Sequence, residues 1–317
     1  MELNSKDKAI LAELDRNSRQ SFSQIGKKIR LPKHVVAYRI KSMVDSGIIT
    51  SFYSVVDITK LGYNYSRLLL KFRNISDEKE NEIVEYFKSK KQVGFLASLD
   101  GHWDMVAVIH NKDVFDLQNF YDDFIYKFDK HVVDKTISIA TEVYHFRNKF
   151  LFENKDISFS VVGSGERAEI DSTDIEILNL LTEDARMPVV DIAKKVNLSA
   201  RMVCIRIRQL VSKGILKEFR VGINYEKLGY NYFKVFIKLD NLTKDSEQKL
   251  ISFLKVNPNV IYITKALWEW TLEFEVVLHS HSDLYTLINT LRKNFVNISE
   301  YQIILNSKVY NIRYALH

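Results

Sequence analysis

Over the first fifty residues, apolar positions recur every three or four residues, the period of an amphipathic helix. Ile10, Leu11 and Leu14 share one face of a helix that Asn4 or Ser5 can cap. Phe22, Ile25 and Ile29 share a face of a short helix starting at Ser21, and Val36, Ile40, Met43 and Val44 form the stripe of a third that stops at Gly47. Arg30-Leu31-Pro32 makes the brief turn before that third helix, and Pro32 suits its first turn because the missing N–H is no loss there. Three helices with a tight turn before the third predict a helix-turn-helix, followed by two short apolar strands such as Ile48–Phe52. Beyond Tyr65 the pattern predicts strands over Tyr65–Arg73, Val93–Leu99, Trp103–His110 and Thr136–Tyr144, and helices over Asp77–Lys90 and Asp113–Phe128. Asp100-Gly101 marks a hairpin. The order β-α-β-β-α-β is the ferredoxin-like plan.

The pattern then starts again. Residues 4–72 align with 171–239 without a gap, about a third of them identical, and Lys60-Leu61-Gly62-Tyr63-Asn64-Tyr65 recurs as Lys227-Leu228-Gly229-Tyr230-Asn231-Tyr232. Asp171 or Ser172 can cap the second copy's first helix, with Ile177, Leu178 and Leu181 inward. Val189, Ile192 and Val196 follow, then Val203, Ile207, Leu210 and Val211 before Gly214. The ferredoxin-like order repeats over Phe233–Leu239, Asp245–Lys255, Val260–Ala266, Trp270–Leu278, Ser282–Asn294 and Tyr301–Tyr310. Near the two ends, Val143-Tyr144-His145-Phe146-Arg147 matches Val309-Tyr310-Asn311-Ile312-Arg313. The fold class is therefore α+β, as two copies of a winged helix-turn-helix followed by a ferredoxin-like domain. The expected divisions are 1–56, 57–150, a linker over 151–167 that contains Gly163-Ser164-Gly165, 168–223 and 224–317.

Composition narrows the class. No apolar run approaches the roughly 20 residues of a membrane span, and the opening MELNSKDKAI is too polar for a signal peptide, so a cytoplasmic chain is expected. The single cysteine, Cys204, forms no disulfide within the chain and reads as a small helix residue rather than a nucleophile. The net charge of +6 is unevenly placed. Between Arg16 and Val44 there are about eight Lys or Arg and no acid; between Ile192 and Lys217 there are about seven and again no acid. Both windows cover the second and third helices, the surface such a motif brings to phosphates, which makes double-stranded DNA the expected partner.

Early positions of a recognition helix point into the major groove, so Lys33, His34 and Arg201 are candidates for base edges. Tyr38, Lys41 and Arg208 lie off the apolar stripe of the same helices, and Ser199 opens the second of them. Lys27, Lys28, Lys194 and Lys195 are assigned to phosphates, which position without specifying. Arg39 and Arg206 flank the apolar stripe, where each either packs its stem and bonds a nearby acceptor or reaches a phosphate.

Asp171, Asp174, Ile177-Leu178, then Ile192-Ala193, Val196, Leu198-Ser199, Val203, Arg206-Ile207, Leu210 and Gly214-Ile215-Leu216 together resemble the Lrp/AsnC family of feast/famine regulators. The first copy departs at Pro32, where the family usually has Ser, and at Met43, where it has Leu. The resemblance covers both halves. It implies a winged helix-turn-helix joined to a ferredoxin-like ligand-sensing domain, assembly through the sheets into dimers and larger rings, and transcription regulation, often in response to amino acids. Typical members carry one such unit, so two in one chain imply either an intramolecular pseudo-dimer or a homo-oligomer. The family's effector loop often holds Gly-x-aromatic-Asp, present here as Gly101-His102-Trp103-Asp104 and replaced in the second copy by Trp268-Glu269-Trp270-Thr271. An amino-acid-like effector would belong to the first copy, the other reading being a tight hairpin with Trp103 in the core.

The same architecture resembles the sirohaem decarboxylases, paired Lrp-like subunits that act on a tetrapyrrole, and this enzyme reading stands as the alternative. His279-Ser-His281 has no third metal ligand at a recognisable spacing, and no phosphate-binding glycine loop, nucleophile elbow or HExxH occurs. No enzyme activity, cofactor or metal is expected. A DNA-architectural protein of low sequence preference is the third reading.

Overall fold

The computed structural model describes residues 3–151, 158–163 and 165–312; residues 152–157 and Ser164 of the expected linker, and Arg313 of the closing repeat, lie outside them. In chain order the elements are α1 (Ser5–Arg16), α2 (Phe22–Ile29), α3 (Lys33–Asp45), β1 (Ile49–Val56), β2 (Asn64–Phe72), α4 (Asp77–Ser89), β3 (Val93–Asp100), β4 (Met105–Asn111), α5 (Val114–Phe128), β5 (Val132–Phe146) and β6 (Phe159–Val162). The second half follows with α6 (Ser172–Glu183), α7 (Val189–Lys195), α8 (Ala200–Ser212), β7 (Leu216–Ile223), β8 (Asn231–Leu239), α9 (Lys244–Val256), β9 (Val260–Leu267), β10 (Leu272–Leu278), α10 (His281–Asn294) and β11 (Ile298–Ile312).

Local chemistry sets the helix starts. Asn4, not Ser5, caps α1 in a capping box closed by Asp7; Ser21 and Gln24 do the same for α2, and Asp171 caps α6. Pro32 stands at the N-cap of α3 and provides no side-chain cap, so it begins one residue earlier than a first-turn proline. Ile10, Leu11, Leu14, Ile25, Val36 and Met43 are fully buried. Val44 and Val211, expected in the stripes, are 42% and 47% exposed. Each lies roughly 100° around its helix from the buried residue before it, which turns it off the core face.

The two strands expected after each helix-turn-helix are one strand, and its partner comes from the other half. β1 pairs antiparallel with β7, with Phe52 opposite Val221 and Ser54 opposite Phe219. The exchange reaches the cores. Tyr53, Val55 and Val56 of β1 pack with Ile177, Leu178 and Leu181 of α6, while Val221 and Ile223 of β7 pack with Ile10, Leu11 and Leu14 of α1. At roughly 1.5–3 kcal/mol per buried aliphatic side chain, neither helical module retains a complete core without the other half's strand. Arg19 donates to the carbonyls of Ala185 and Met187 at 2.6 and 3.1 Å, and Arg186 donates in return to those of Ser18 and Gln20. The repeated Lys60 and Lys227 also cross over. Lys60 Nζ donates to the Lys213 carbonyl and Lys227 Nζ to that of Ser46, so each lysine meets the C-terminus of the opposite half's recognition helix.

The ferredoxin-like sheets are exchanged as well. Within each half the order is β5-β2-β4-β3 or β11-β8-β10-β9, and β3 pairs with β11 while β9 pairs with β5, closing a circuit of eight strands with β6 added on β5. The long strands β5 and β11 make both junctions, their first parts pairing within their own half and their second parts with the other. α4 and α5 cover one outer face through Phe87, Phe120 and Phe124, and α9 and α10 cover the opposite one through Leu250, Leu254 and Leu287. The inner faces meet around Leu69, Trp103, Phe236 and Trp270. The pairing of the two halves is thus internal to one chain. No helix among the described residues is long and apolar enough to cross a membrane.

Candidate nucleic-acid interface

In the first module the turn between α2 and α3 runs through Arg30 in the left-handed conformation, φ 57°, and Leu31 N–H donates to the Gly26 carbonyl at 2.9 Å. This turn presents a cationic recess, lined by Lys27, Arg30 and Lys33 around Gly26, Leu31 and Pro32. Arg30 was not among the expected contacts; its place in the recess follows from a backbone conformation that arginine seldom adopts. In the second module Asn197 takes the same left-handed position, φ 52°, and Lys194, Asn197 and Ala200 stand where Lys27, Arg30 and Lys33 stand in the first. The recess is therefore strongly cationic in one copy only.

The expected contact residues fall into two groups. Lys27, Lys33, His34, Tyr38, Lys195, Arg201 and Arg208 are exposed, Tyr38 to 74%, and their side chains make no hydrogen bond or ion pair among the described residues. The others have internal partners. Arg39 Nη1 donates to buried Asp7 at 2.8 Å, and Arg206 Nη1 donates to Asp171 and Asp174 at 2.8 and 2.9 Å. Of the two readings open for this matched pair, the geometry supplies the internal acceptor. Lys28 bonds Glu13 and Gln20, both at 2.7 Å, which holds it against α1. Lys41 meets Asp45 at 2.7 Å and Lys194 meets Asp191 at 3.7 Å, both exposed pairs of little net strength. Ser199 is the N-cap of α8, its hydroxyl accepting from Met202 N–H. Cys204 is half-buried within α8.

In the hairpin read either as an effector loop or as a tight turn with Trp103 in the core, two of the four residues are tied into the fold. Trp103 is buried in the inner core, and Asp104 receives Lys71 Nζ and Phe72 N–H, each at 2.7 Å. In the second half Thr271 accepts from Leu239 N–H at 3.0 Å, so a hydroxyl there replaces the carboxylate in the same backbone contact. Gly101 and His102 are exposed. His279 stacks on Tyr230 and His281 meets Phe233 edge-on; no cluster of three metal-ligating side chains occurs among the described residues.

A chamber of about 940 Å³ runs from beneath the β1–β7 ribbon into the strand circuit. Its wall contains buried charge in compensated groups. Arg67 bonds Glu273 through both Nη atoms, Lys234 lies 3.1 Å from Glu273 and 2.8 Å from Glu275, and Tyr232 donates to Glu275. Although burial alone would raise it, the Glu273 carboxyl is held below the usual range by Arg67 and Lys234. Above this group, Asp15 of α1 accepts from Arg220 Nε at 2.9 Å and from Asn148 through both its N–H and its Nδ2.

Comparison with known proteins agrees with the repeat. Residues 170–211 match the AsnC-type helix-turn-helix domain, and residues 3–50 match a winged helix-turn-helix DNA-binding domain. The transcriptional regulator AzlB of Bacillus subtilis is 31% identical over 142 residues, which is 44% of this chain and 90% of AzlB. The chain belongs to the Lrp/AsnC family. An uncharacterised HTH-type regulator of Pyrococcus furiosus is 47% identical over 62 residues, or 20% of this chain; the match spans 42% of that relative's length. Because AzlB matches less than half of the chain, this Lrp/AsnC member is a tandem form. A likeness over 98% of the chain comes from the crystal structure of the siroheme decarboxylase NirDL, with TM-score 0.64, 13% identity and 94% of that chain covered. At that identity it speaks for the fold alone.

Proposed function

We propose that this chain is a sequence-specific, double-stranded DNA-binding transcription regulator in which one polypeptide supplies both helix-turn-helix modules of the family dimer. The observation that carries the reading is the interlocked pair of modules, each with exposed, acid-free cations at the start of its recognition helix. Lys33, His34 and Arg201 reach base edges, while Lys27, Arg30, Lys195 and Arg208 hold phosphates. Two half-sites about one helical turn apart are read, and they differ because Lys33-His34 stands where the second copy has Ala200-Arg201. An amino-acid-like effector remains part of this reading, with Gly101 and His102 as its exposed contacts. Selection of bound sequences from a random duplex pool, at two salt concentrations, tests it. Two unequal half-sites are expected; equal affinity for all duplexes would point instead to an architectural protein.

The chamber, in a fold shared with NirDL along the whole chain, leaves room for a second reading, a tetrapyrrole decarboxylase. The chamber wall weighs against it. Its buried cations Arg67, Lys234 and Arg220 are already matched by Glu273, Glu275, Asp15 and Glu218, which leaves little positive charge for a polycarboxylate. Decarboxylation of sirohaem on incubation with the full chain would establish the enzyme.

A further inference from the structure

The chamber has features that DNA binding does not use. Its volume of about 940 Å³ lies at the upper end of small-molecule sites. Tyr53, Tyr65, Tyr225, Tyr230 and Tyr262 line it together with apolar Phe95, Val106 and Val108, a wall suited to a flat ring. Arg67 is only 5% exposed, its two Nη atoms are spent on Glu273, and its Nε has no partner among the described residues. Asn306 Nδ2, also on the wall, has none either. Both vacancies are N–H donors, so the missing partner is an acceptor.

Charge restricts the occupant further. Of the lining cations, only Lys308 lacks a carboxylate partner among the described residues; it is exposed and sits over the Tyr310 ring. Glu183 and Glu226 also line the chamber, on the side of the β1–β7 ribbon, and are exposed. One unmatched cation set against these two carboxylates resists a ligand that carries several negative charges.

The chamber also touches the helical modules unequally. Arg220 lines it and is bonded to Asp15 on α1. In the pseudo-symmetric positions stand Tyr53 and Thr182, with no charged link to α6. We propose that the chamber binds a ring-containing monocarboxylate or monosulfonate among its tyrosines, that Arg67 and Asn306 turn their unpartnered N–H groups to its acceptor oxygens, and that Arg220 and Asp15 report its presence to the first helix-turn-helix alone. The signalling half of this proposal rests on the regulator reading; the binding half does not.

The test uses the full chain and 8-anilinonaphthalene-1-sulfonate, a fluorescent ring compound with one acidic group. Saturable binding at one site per chain is expected, displaced by indole-3-carboxylate but not by uroporphyrin. Val108→Phe, which narrows the chamber, should weaken it about tenfold, and Asn306→Leu should weaken it about five- to tenfold through the lost donor. Hydrogen exchange at saturation should slow in α1 and stay unchanged in α6. That measurement involves no DNA, so failure of the regulator reading would leave it interpretable. Absent or non-saturable binding, binding indifferent to Val108→Phe and Asn306→Leu, displacement by uroporphyrin, or equal protection of both helices would each overturn the proposal.

Discussion

Replacing Asp15 by alanine should release one helical module while leaving its twin in place. The carboxylate is fully buried, accepts from Arg220 Nε at 2.9 Å and from Asn148 N and Nδ2 at 2.7 and 3.1 Å, and lies 2.8 Å from Arg220 Nη2. Without it the Arg220 guanidinium stays buried, keeping Glu218 at 3.0 Å and the Phe146 carbonyl at 2.9 Å. Breaking a buried pair costs about 3–5 kcal/mol, and the remaining Glu218 places this case near the lower figure, about 3 kcal/mol. Thr182, which occupies the equivalent position, donates only to the Asn179 carbonyl, and Thr182→Ala should cost about 1 kcal/mol. Urea unfolding of both variants measures the difference, and the triple variant Asp15→Ala/Glu218→Gln/Arg220→Met should recover part of the loss because no uncompensated charge is left. A cost below about 1 kcal/mol for Asp15→Ala, or equal costs for the two alanine variants, would refute the claim that this network anchors α1.

Burial, reinforced by Arg220, pushes the His145 imidazole down to about 3, so the folded chain keeps it neutral where the unfolded chain binds a proton below about 6.5. That stability is full above about pH 6.5 and is lost as pH falls toward 3; from pH 7 to 5 the loss is about 2 kcal/mol. His145→Asn should flatten this part of the urea-derived stability profile, and an unchanged slope would be the contrary result. Lys27→Ala should weaken binding to every duplex alike and reduce the salt slope by about one unit, as read by fluorescence anisotropy across a salt series. A change in sequence preference would contradict its assignment to phosphate. Arg201→Ala should relax the preference at one base pair by about 1–3 kcal/mol, checked by competition among single-base variants of the selected site.

The helical modules and the ferredoxin-like order could be read from the sequence because each rests on local periodicity, and Gly47 and Gly214 mark the helix ends in both copies. The crossing of strands could not. Nothing in Ile49–Val56 distinguishes a partner eight residues away from one in Leu216–Ile223, because alternation fixes which face is buried and not which strand lies alongside. The same limit applied to the interface. Lys28 looked like a phosphate ligand, and Arg39 could not be told from one, because their carboxylate partners Glu13 and Asp7 lie on α1, outside the acid-free window that flagged them. The chamber left no pattern in the sequence, since Arg67, Arg220 and Glu273 come from three strands far apart along the chain.

The closed circuit of β3, β11, β9 and β5 has a consequence for a cell that holds several members of this family. A regulator made of separate subunits can exchange them and form mixed species at the mercy of relative abundance. Here the edges where such a subunit would dock are already hydrogen-bonded within the same polypeptide. The two dissimilar helix-turn-helix modules are thereby produced in a fixed one-to-one ratio, joined by strand pairs that no separate subunit has to supply.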